Sequence, residues 1–464
     1  MKDELYHLLH PFGQEHLLAF WDSLDAAERQ SLSDELRAID YALIDRLCRQ
    51  QTEQGPELAS AERAAPPPAF RLGAANNRFT PEEARQRGAE ALRAGQVAVI
   101  LVAGGQGTRL GFDHPKGMFP IGPVSGHSLF QIHVEKVLAC GRRYGVRIPL
   151  YVMTSPATHQ ETLEFFARHD RFGLPPEDLR LFCQGTMPAV DAQCGKVLLA
   201  EPGRVALSPD GHGGILAALA RSAALADLKS RGVRHVFYFQ VDNPLVEVCA
   251  PEFLGYHLLC GSEFSSQAVA KRTPSDKVGN IVQVDGRLRV IEYTEFNRLP
   301  ETITHRRSAD GSLWLWAGSI AIHVVEAAFL ERMAGQADAL PWHIARKKVP
   351  HVAADGRTVQ PDEPNAIKFE RFIFDLMPWA ANAIVMEVDP ARCFAPLKNA
   401  HGDDSPTSVK AQMAALHRAW LRQAGAEVPE GVPVEISPQF ALDPDELAAK
   451  IPSNTRVENP RYFR

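Results

Sequence analysis

No stretch of this chain approaches the roughly 18 uninterrupted apolar residues that a helix needs to cross a bilayer, so no membrane partner is expected. Cysteine is sparse and unorganised. The seven (Cys48, Cys140, Cys183, Cys194, Cys249, Cys260, Cys393) are odd in number and form no CxxC pair or zinc-like spacing. That argues against a disulfide framework or a zinc site and for a reducing, cytoplasmic setting. The first residues lack the charged, apolar, small-residue order of a secretory signal. Lys and Arg nowhere gather into a stripe that would track a nucleic-acid backbone, and the net charge is only -6. No nucleic-acid partner is expected, and any phosphate binding has to be local. Two common phosphate loops are also missing. A GxGxxG fingerprint starting at Gly105 would need glycine or alanine where Leu110 stands, and no window fits GxxxxGK followed by Ser or Thr. Nicotinamide-dependent oxidoreductases and P-loop NTPases are thereby set aside. No internal repeat is visible.

What remains is the composition of an ordinary globular protein, 45% hydrophobic and 23% charged. At 464 residues it exceeds the roughly 250–300 at which a single core stops growing. Residues 1–78 read as a helical N-terminal region followed by a linker from Gly55 to Asn77 that includes Pro66-Pro67-Pro68. Residues 79–388 read as the catalytic domain. Thr80-Pro81-Glu82-Glu83 announces a helix, and Val97 to Val102 is a near-continuous apolar run suited to a strand buried on both faces. Similar runs at 150–153, 179–182 and 236–241 alternate with helical patterns, which predicts a doubly wound, Rossmann-like α/β domain. Closely spaced strands with turns at Asp285-Gly286 and Asp310-Gly311 predict an antiparallel insertion that makes the sheet mixed. Residues 389–464 read as a small C-terminal α+β domain with a helix near Val409 to Ala424.

Three segments carry chemistry. Val102-Ala103-Gly104-Gly105-Gln106-Gly107-Thr108-Arg109-Leu110-Gly111, with Pro115-Lys116-Gly117 behind it, joins a buried strand to glycines and two spaced cations. Glycines let the main chain approach a triphosphate, while Arg109 and Lys116 supply charge-assisted bonds. Val241-Asp242-Asn243 ends an apolar run where an α/β sheet binds its ligands, so Asp242 can hold Mg²⁺ against phosphates; taken alone it also reads as a turn. Asp210-Gly211-His212-Gly213-Gly214 opens a helical pattern, and reads equally as room for a base or sugar and as a capping loop. Lys368 and Lys398, by themselves, look like surface lysines.

Together with Gln184-Gly185, Glu292-Tyr293, Ala317-Gly318, Asn365-Ala366-Ile367-Lys368-Phe369-Glu370 and Pro396-Leu397-Lys398-Asn399-Ala400, these segments resemble the eukaryotic-type UDP-N-acetylglucosamine pyrophosphorylases, in collinear order from about residue 97 to 425. The resemblance implies a uridylyltransferase that takes UTP and a sugar 1-phosphate and releases pyrophosphate. By it, Val102, Ala103, Gly104, Gly105, Gln184 and Gly211 lie against the uridine nucleotide. Arg109 and Lys116 bind the triphosphate, Asp242 binds magnesium, and Gly279, Glu292 and Tyr293 hold the sugar. Lys368 and Lys398 sit on phosphates, and Arg109, Lys116 and Lys368 are expected to carry the catalysis. Two sugar-side positions depart from the family: His212 replaces the asparagine of DGNGG, and Ser319 replaces the asparagine of an AGN turn. UDP-glucose and UDP-sugar pyrophosphorylases carry a histidine in a comparable loop, so glucose or galactose 1-phosphate is the alternative substrate. A non-catalytic UDP-sugar sensor is the second alternative. Self-association is left open.

Overall fold

The structure, a computed structural model, describes residues 1–50, 61–336, 340–452 and 454–464. Two compact units emerge. One comprises Met1–Ala59, Gln184–Ile215 and Ala337–Asp375; the other comprises Ser60–Cys183, Leu216–Gln336 and Leu376–Arg464. This division cuts across the chain-order reading. The N-terminal helices share a unit with two later segments rather than standing alone, and residues 389–464 share a unit with the main sheet. The part of the expected linker from Gly55 to Ser60 lies outside the described residues.

The larger unit is built on a mixed sheet, ten-stranded among the described residues. Its strands run, in spatial order, Ala69–Phe70, Ile384–Glu387, Phe264–Ala270, Ala317–Glu326, His235–Gln240, Val97–Val102, Leu150–Thr154 and Leu179–Cys183. The last four pair in parallel. Ala317–Glu326 runs antiparallel to both its neighbours. The hairpin Gly279–Val284 and Arg287–Ile291 turns at Asp285 (φ +50°) and Gly286 (φ +79°) and joins at Ser319. The apolar runs form strands because helices cover both faces: Val97 to Leu101 are at most 2% exposed. The helix announced by Thr80 spans Pro81–Arg93, and its capping box forms as the sequence predicts. The proline-rich stretch is more than a strap. Ala65 bridges Gln283, and Ala69–Phe70 pairs with Val385–Met386 as the edge strand.

Chain order and spatial order differ at one point. The strands at 97–102, 150–154 and 179–183 follow in sequence, but the fourth, at 235–240, inserts on the other side of the first. That reversal is the topological switch point, where the connections leave to opposite faces and open a crevice beyond the carboxyl ends of two adjacent strands. The register aligns Val102 with Gln240, and the Val241 amide donates to the Val102 carbonyl at 2.9 Å. The glycine loop and Asp242 therefore start at the same edge.

In the smaller unit, helices Lys2–Leu9, Ala26–Ala38 and Tyr41–Gln50 bury Leu5, Leu9, Leu32, Leu36 and Ile44 against Val190, Ile367 and Phe369. The last two belong to the strand Ala366–Glu370, central in a three-stranded sheet with His343–Lys347 and Val190–Asp191. Side chains alternate along a strand, so sinking Ile367 and Phe369 into the helical core turns Lys368 to the other face. The N-terminal region thus backs the strand that carries Lys368.

Candidate active site

At the switch point the glycine loop folds on itself. The Lys116 amide donates to the Gly105 carbonyl at 3.0 Å and the Gly107 amide to the His114 carbonyl at 2.9 Å, while the Ser155 hydroxyl donates to the Gly104 carbonyl at 2.7 Å. The glycines differ in purpose. A Cβ at Gly107 would meet the Phe112 carbonyl at 2.6 Å, so the fold itself requires glycine there. A Cβ at Gly105 would meet no protein atom within 4 Å. Packing does not explain that glycine, whose Cα face is open. Arg109 is exposed in the single turn Thr108–Leu110.

Lys116 reaches from this loop to the neighbouring strand end. Its Nζ donates to the Leu397 carbonyl at 3.2 Å and lies 3.6 Å from Asp242 Oδ2, in side chains only 18% and 13% exposed. The backbone extends the cluster: the Leu397 amide donates to the Asp242 carbonyl at 2.8 Å, and the Lys398 amide to the Asp404 carbonyl at 2.8 Å. Asn243 is fully engaged, giving its Nδ2 to the Cys393 carbonyl and accepting at Oδ1 from the Leu245 and Ala395 amides. Arg109, Lys116, Asp242 and Lys398, from three separated stretches of sequence, belong to loops of the same unit at the carboxyl edge of its sheet.

The residues of this unit that the resemblance assigns to the sugar also converge. Gly279 and Ser319 are register partners, and a Cβ at Gly279 would meet Glu292 Oε1 at 3.2 Å and Ser319 Cβ at 3.9 Å. Tyr293 follows in the turn Tyr293–Phe296, which Glu292 caps. Beneath them lies a residue that motif reading missed. Lys271, 6% exposed, donates to Asn280 Oδ1 and sits 4.1 Å from the centre of the Phe296 ring. Burial draws its ammonium down to about 8. A lysine closing a run of buried strand residues was the available signal.

The other predicted residues, Gln184, Gly211, His212 and Lys368, belong to the smaller unit. Gln184 is buried. Gly211 (φ +81°) and Gly213 have a structural purpose: Cβ atoms there would meet the Arg371 carbonyl at 2.4 and 2.8 Å. The Arg371 amide donates to the Asp210 carbonyl at 2.9 Å and the Gly213 amide to the Arg371 carbonyl at 2.7 Å, so the glycines admit a neighbouring main chain. Their expected use as room for a base or sugar meets a packing demand that fully accounts for Gly213. The buried pair Asp210–Arg371, 3.2 Å apart, locks this contact, and Arg371 was not singled out in the sequence. His212 accepts the Ile373 amide at Nδ1 (3.2 Å), which leaves Nε2 as the donor, and its ring packs 5.0 Å from Phe372. Burial, aided by His343, pushes it down to about 4, so it is neutral. Lys368 is half-buried and its ammonium is shifted down by burial, with Glu370 opposing.

The chain matches the family model described as UTP–glucose-1-phosphate uridylyltransferase over residues 45–440. It belongs to that family. Within it, the UDP-N-acetylhexosamine pyrophosphorylase-like protein 1 of Homo sapiens is 39% identical over 431 residues, covering 89% of this chain and 84% of that one. The UDP-N-acetylglucosamine pyrophosphorylase of Saccharomyces cerevisiae is 36% identical over 459 residues, 94% of each chain. The crystal structure of the Trypanosoma brucei uridine diphosphate N-acetylglucosamine pyrophosphorylase in complex with inhibitor superposes with a TM-score of 0.82 at 26% identity, covering 99% of this chain and 98% of that one. The mixed α/β architecture expected from the sequence is that of the family, and the chain is a uridylyltransferase.

Proposed function

We propose that the protein transfers the uridylyl group of UTP to an N-acetylhexosamine 1-phosphate, N-acetylglucosamine foremost and N-acetylgalactosamine beside it. The observation that carries this reading is the coincidence at the switch point of an open-faced Gly105, Lys116 and Asp242, in a chain whose relatives are named for these sugars. A phosphate oxygen of the sugar 1-phosphate attacks the α-phosphorus in line. The bond from that phosphorus to the bridging oxygen breaks, and pyrophosphate leaves with the electron pair. The attacking phosphate is already ionised at neutral pH, so no general base is required. The barrier is the mutual repulsion of anions and the charge growing on the leaving group, and preorganised cations lower both. In this reading Lys116 and Arg109 receive the triphosphate, with Lys368 and Lys398 on further phosphate oxygens.

Asp242 suits a magnesium ion. Its carboxylate offers hard oxygens, and the described residues hold no cluster of three or more His, Cys, Asp or Glu that would make an all-protein cage. Mg²⁺ commonly takes one or two carboxylates and completes its shell with water and substrate phosphates. When bound it would neutralise charge on the nucleotide. A cytoplasmic setting is part of the same proposal: the cysteines are all free, and no helix of the described residues is long and apolar enough to cross a membrane.

A plain hexose is the second reading, and His212 favours it. Its ring is fixed by Ile373 and Phe372 and offers one donor, where an amide would offer both a donor and an acceptor to an N-acetyl group. The deciding measurement is pyrophosphate release with Mg²⁺ and UTP against the 1-phosphates of N-acetylglucosamine, N-acetylgalactosamine, glucose and galactose. Preference for the N-acetyl sugars supports the proposal, preference for the hexoses replaces it with the second reading, and release with none overturns both in favour of a non-catalytic sensor.

A further inference from the structure

The turn that carries Asp242 is held from behind by one helix. Helix Leu129–Tyr144 packs its apolar face into the main core, yet places a histidine and a lysine three residues apart among those apolar positions. His133 is 0% exposed and its Nε2 donates to the Val241 carbonyl at 2.9 Å. Its Nδ1 has no hydrogen-bond partner among the described residues, which fixes the tautomer: the lone pair is on Nδ1 and the proton on Nε2. Lys136 donates to the Pro244 carbonyl and to the Val246 carbonyl, the latter at 2.8 Å. Three main-chain carbonyls flanking Asp242 are thus gripped by two basic side chains. Asn243 ties the same turn to Cys393 and Ala395, and the Asp242 carbonyl takes the Leu397 amide.

Nothing about the helix itself requires these residues. A leucine or methionine at either position would suit an apolar face better, because a desolvated polar group is costly unless it is bonded. Both are bonded, and both bonds go to the same short turn. The Asp242 carboxylate, with Lys116 3.6 Å from it, is the one polar side chain of the turn left facing the glycine loop.

We infer that His133 and Lys136 are positioning residues that set the Asp242 turn so that its carboxylate receives the divalent cation of the UTP complex. The inference rests on the reading of Asp242 as the cation ligand. Neither residue touches substrate; they act through the backbone, as outer groups that orient the ligands of a metal do.

The test uses Mn²⁺ as probe, its binding to the full chain with UTP followed by electron paramagnetic resonance, alongside kcat and KM for sugar phosphate. Asp242→Asn, Lys136→Met, His133→Phe and His133→Gln are compared. Phenylalanine keeps the packing of the 133 ring against Phe239, whereas glutamine keeps a donor near the Nε2 position. Lys136→Met and His133→Phe are expected to weaken Mn²⁺ binding by about tenfold or more and to lower kcat more than they raise KM. His133→Gln is expected to recover most of the loss, which a purely structural role would not predict. Should Lys136→Met fail to fold, the two His133 variants decide alone. Unchanged Mn²⁺ affinity in His133→Phe, with binding lost in Asp242→Asn, overturns the positioning role. Unchanged affinity in Asp242→Asn overturns the reading of Asp242 itself, and the two failures are thereby distinct.

Discussion

Lys116 serves two neighbours at once, the Leu397 carbonyl and the Asp242 carboxylate, in a site where its side chain is mostly shielded from water. A cation so placed needs no rearrangement when charge builds on a phosphate, which is why preorganised donors are worth more in a site than in water. Lys116→Ala is expected to lower turnover by about a hundredfold or more, read as kcat of pyrophosphate release, with the unfolding midpoint little changed. Wild-type turnover would remove Lys116 from the proposed mechanism. The residue scale also shows where sequence reading stops. Gly105 and Gly107 look alike in the string AGGQGTRLG, and only the Phe112 carbonyl separates a glycine the fold demands from one it does not. His133 and Lys136 were equally hidden, because a polar residue on an apolar helix face reveals its partner only in three dimensions.

Among elements, the parallel strands and their loops were legible because buried strands are written as apolar runs and helix starts as capping boxes. The DGHGG segment was less so. Its glycines read equally as room for a ligand and as a capping loop, and neither reading shows that Gly211 and Gly213 abut the main chain at Arg371, a neighbour more than 150 residues away by number. A second pair of glycines shows the same demand between helices. A Cβ at Gly88, in helix Pro81–Arg93, would meet the Pro251 carbonyl at 1.9 Å; one at Gly255, in helix Pro251–Leu259, would meet the Ala84 carbonyl at 1.7 Å. These helices touch through backbone, with no slack for a methyl group. Gly255→Ala must push them apart, and overpacking of this kind costs about 1–3 kcal/mol. Chemical denaturation should show the loss, while KM values stay near wild type because neither helix carries a proposed site residue. A stability equal to wild type would mean that the helices separate freely.

On the scale of the whole molecule, the compact units differ from the chain-order division for a topological reason: the smaller unit is assembled from three separated segments, and no local composition marks them as partners. The family pattern, by contrast, was legible because its motifs sit at strand ends in fixed order. The molecule also carries a pH response that motif reading did not foresee. Burial holds His133 and His417 down to about 3, each with Lys136 adding to the shift, and His235 down to about 4, with Arg234 adding. His212 lies at about 4. In the unfolded chain each would titrate near 6.5 and so bind a proton that the folded protein refuses. Unfolding is therefore favoured as pH falls below about 6.5, and the stabilisation present above that pH drains away toward the folded values. Over the interval to pH 5 the loss is at most about 2 kcal/mol for each histidine. Glu252 and Glu326, raised by burial, work in the opposite sense, but from an ordinary value of 4.5 that lies below most of this interval. The denaturation midpoint is accordingly expected to fall between pH 7 and pH 5, and His133→Phe, which has nothing to protonate, should flatten part of that slope. A midpoint independent of pH over this range would mean that these rings gain protons in the folded state as readily as in the unfolded one, and the neutral tautomers assigned to His133 and His212 would have to be abandoned.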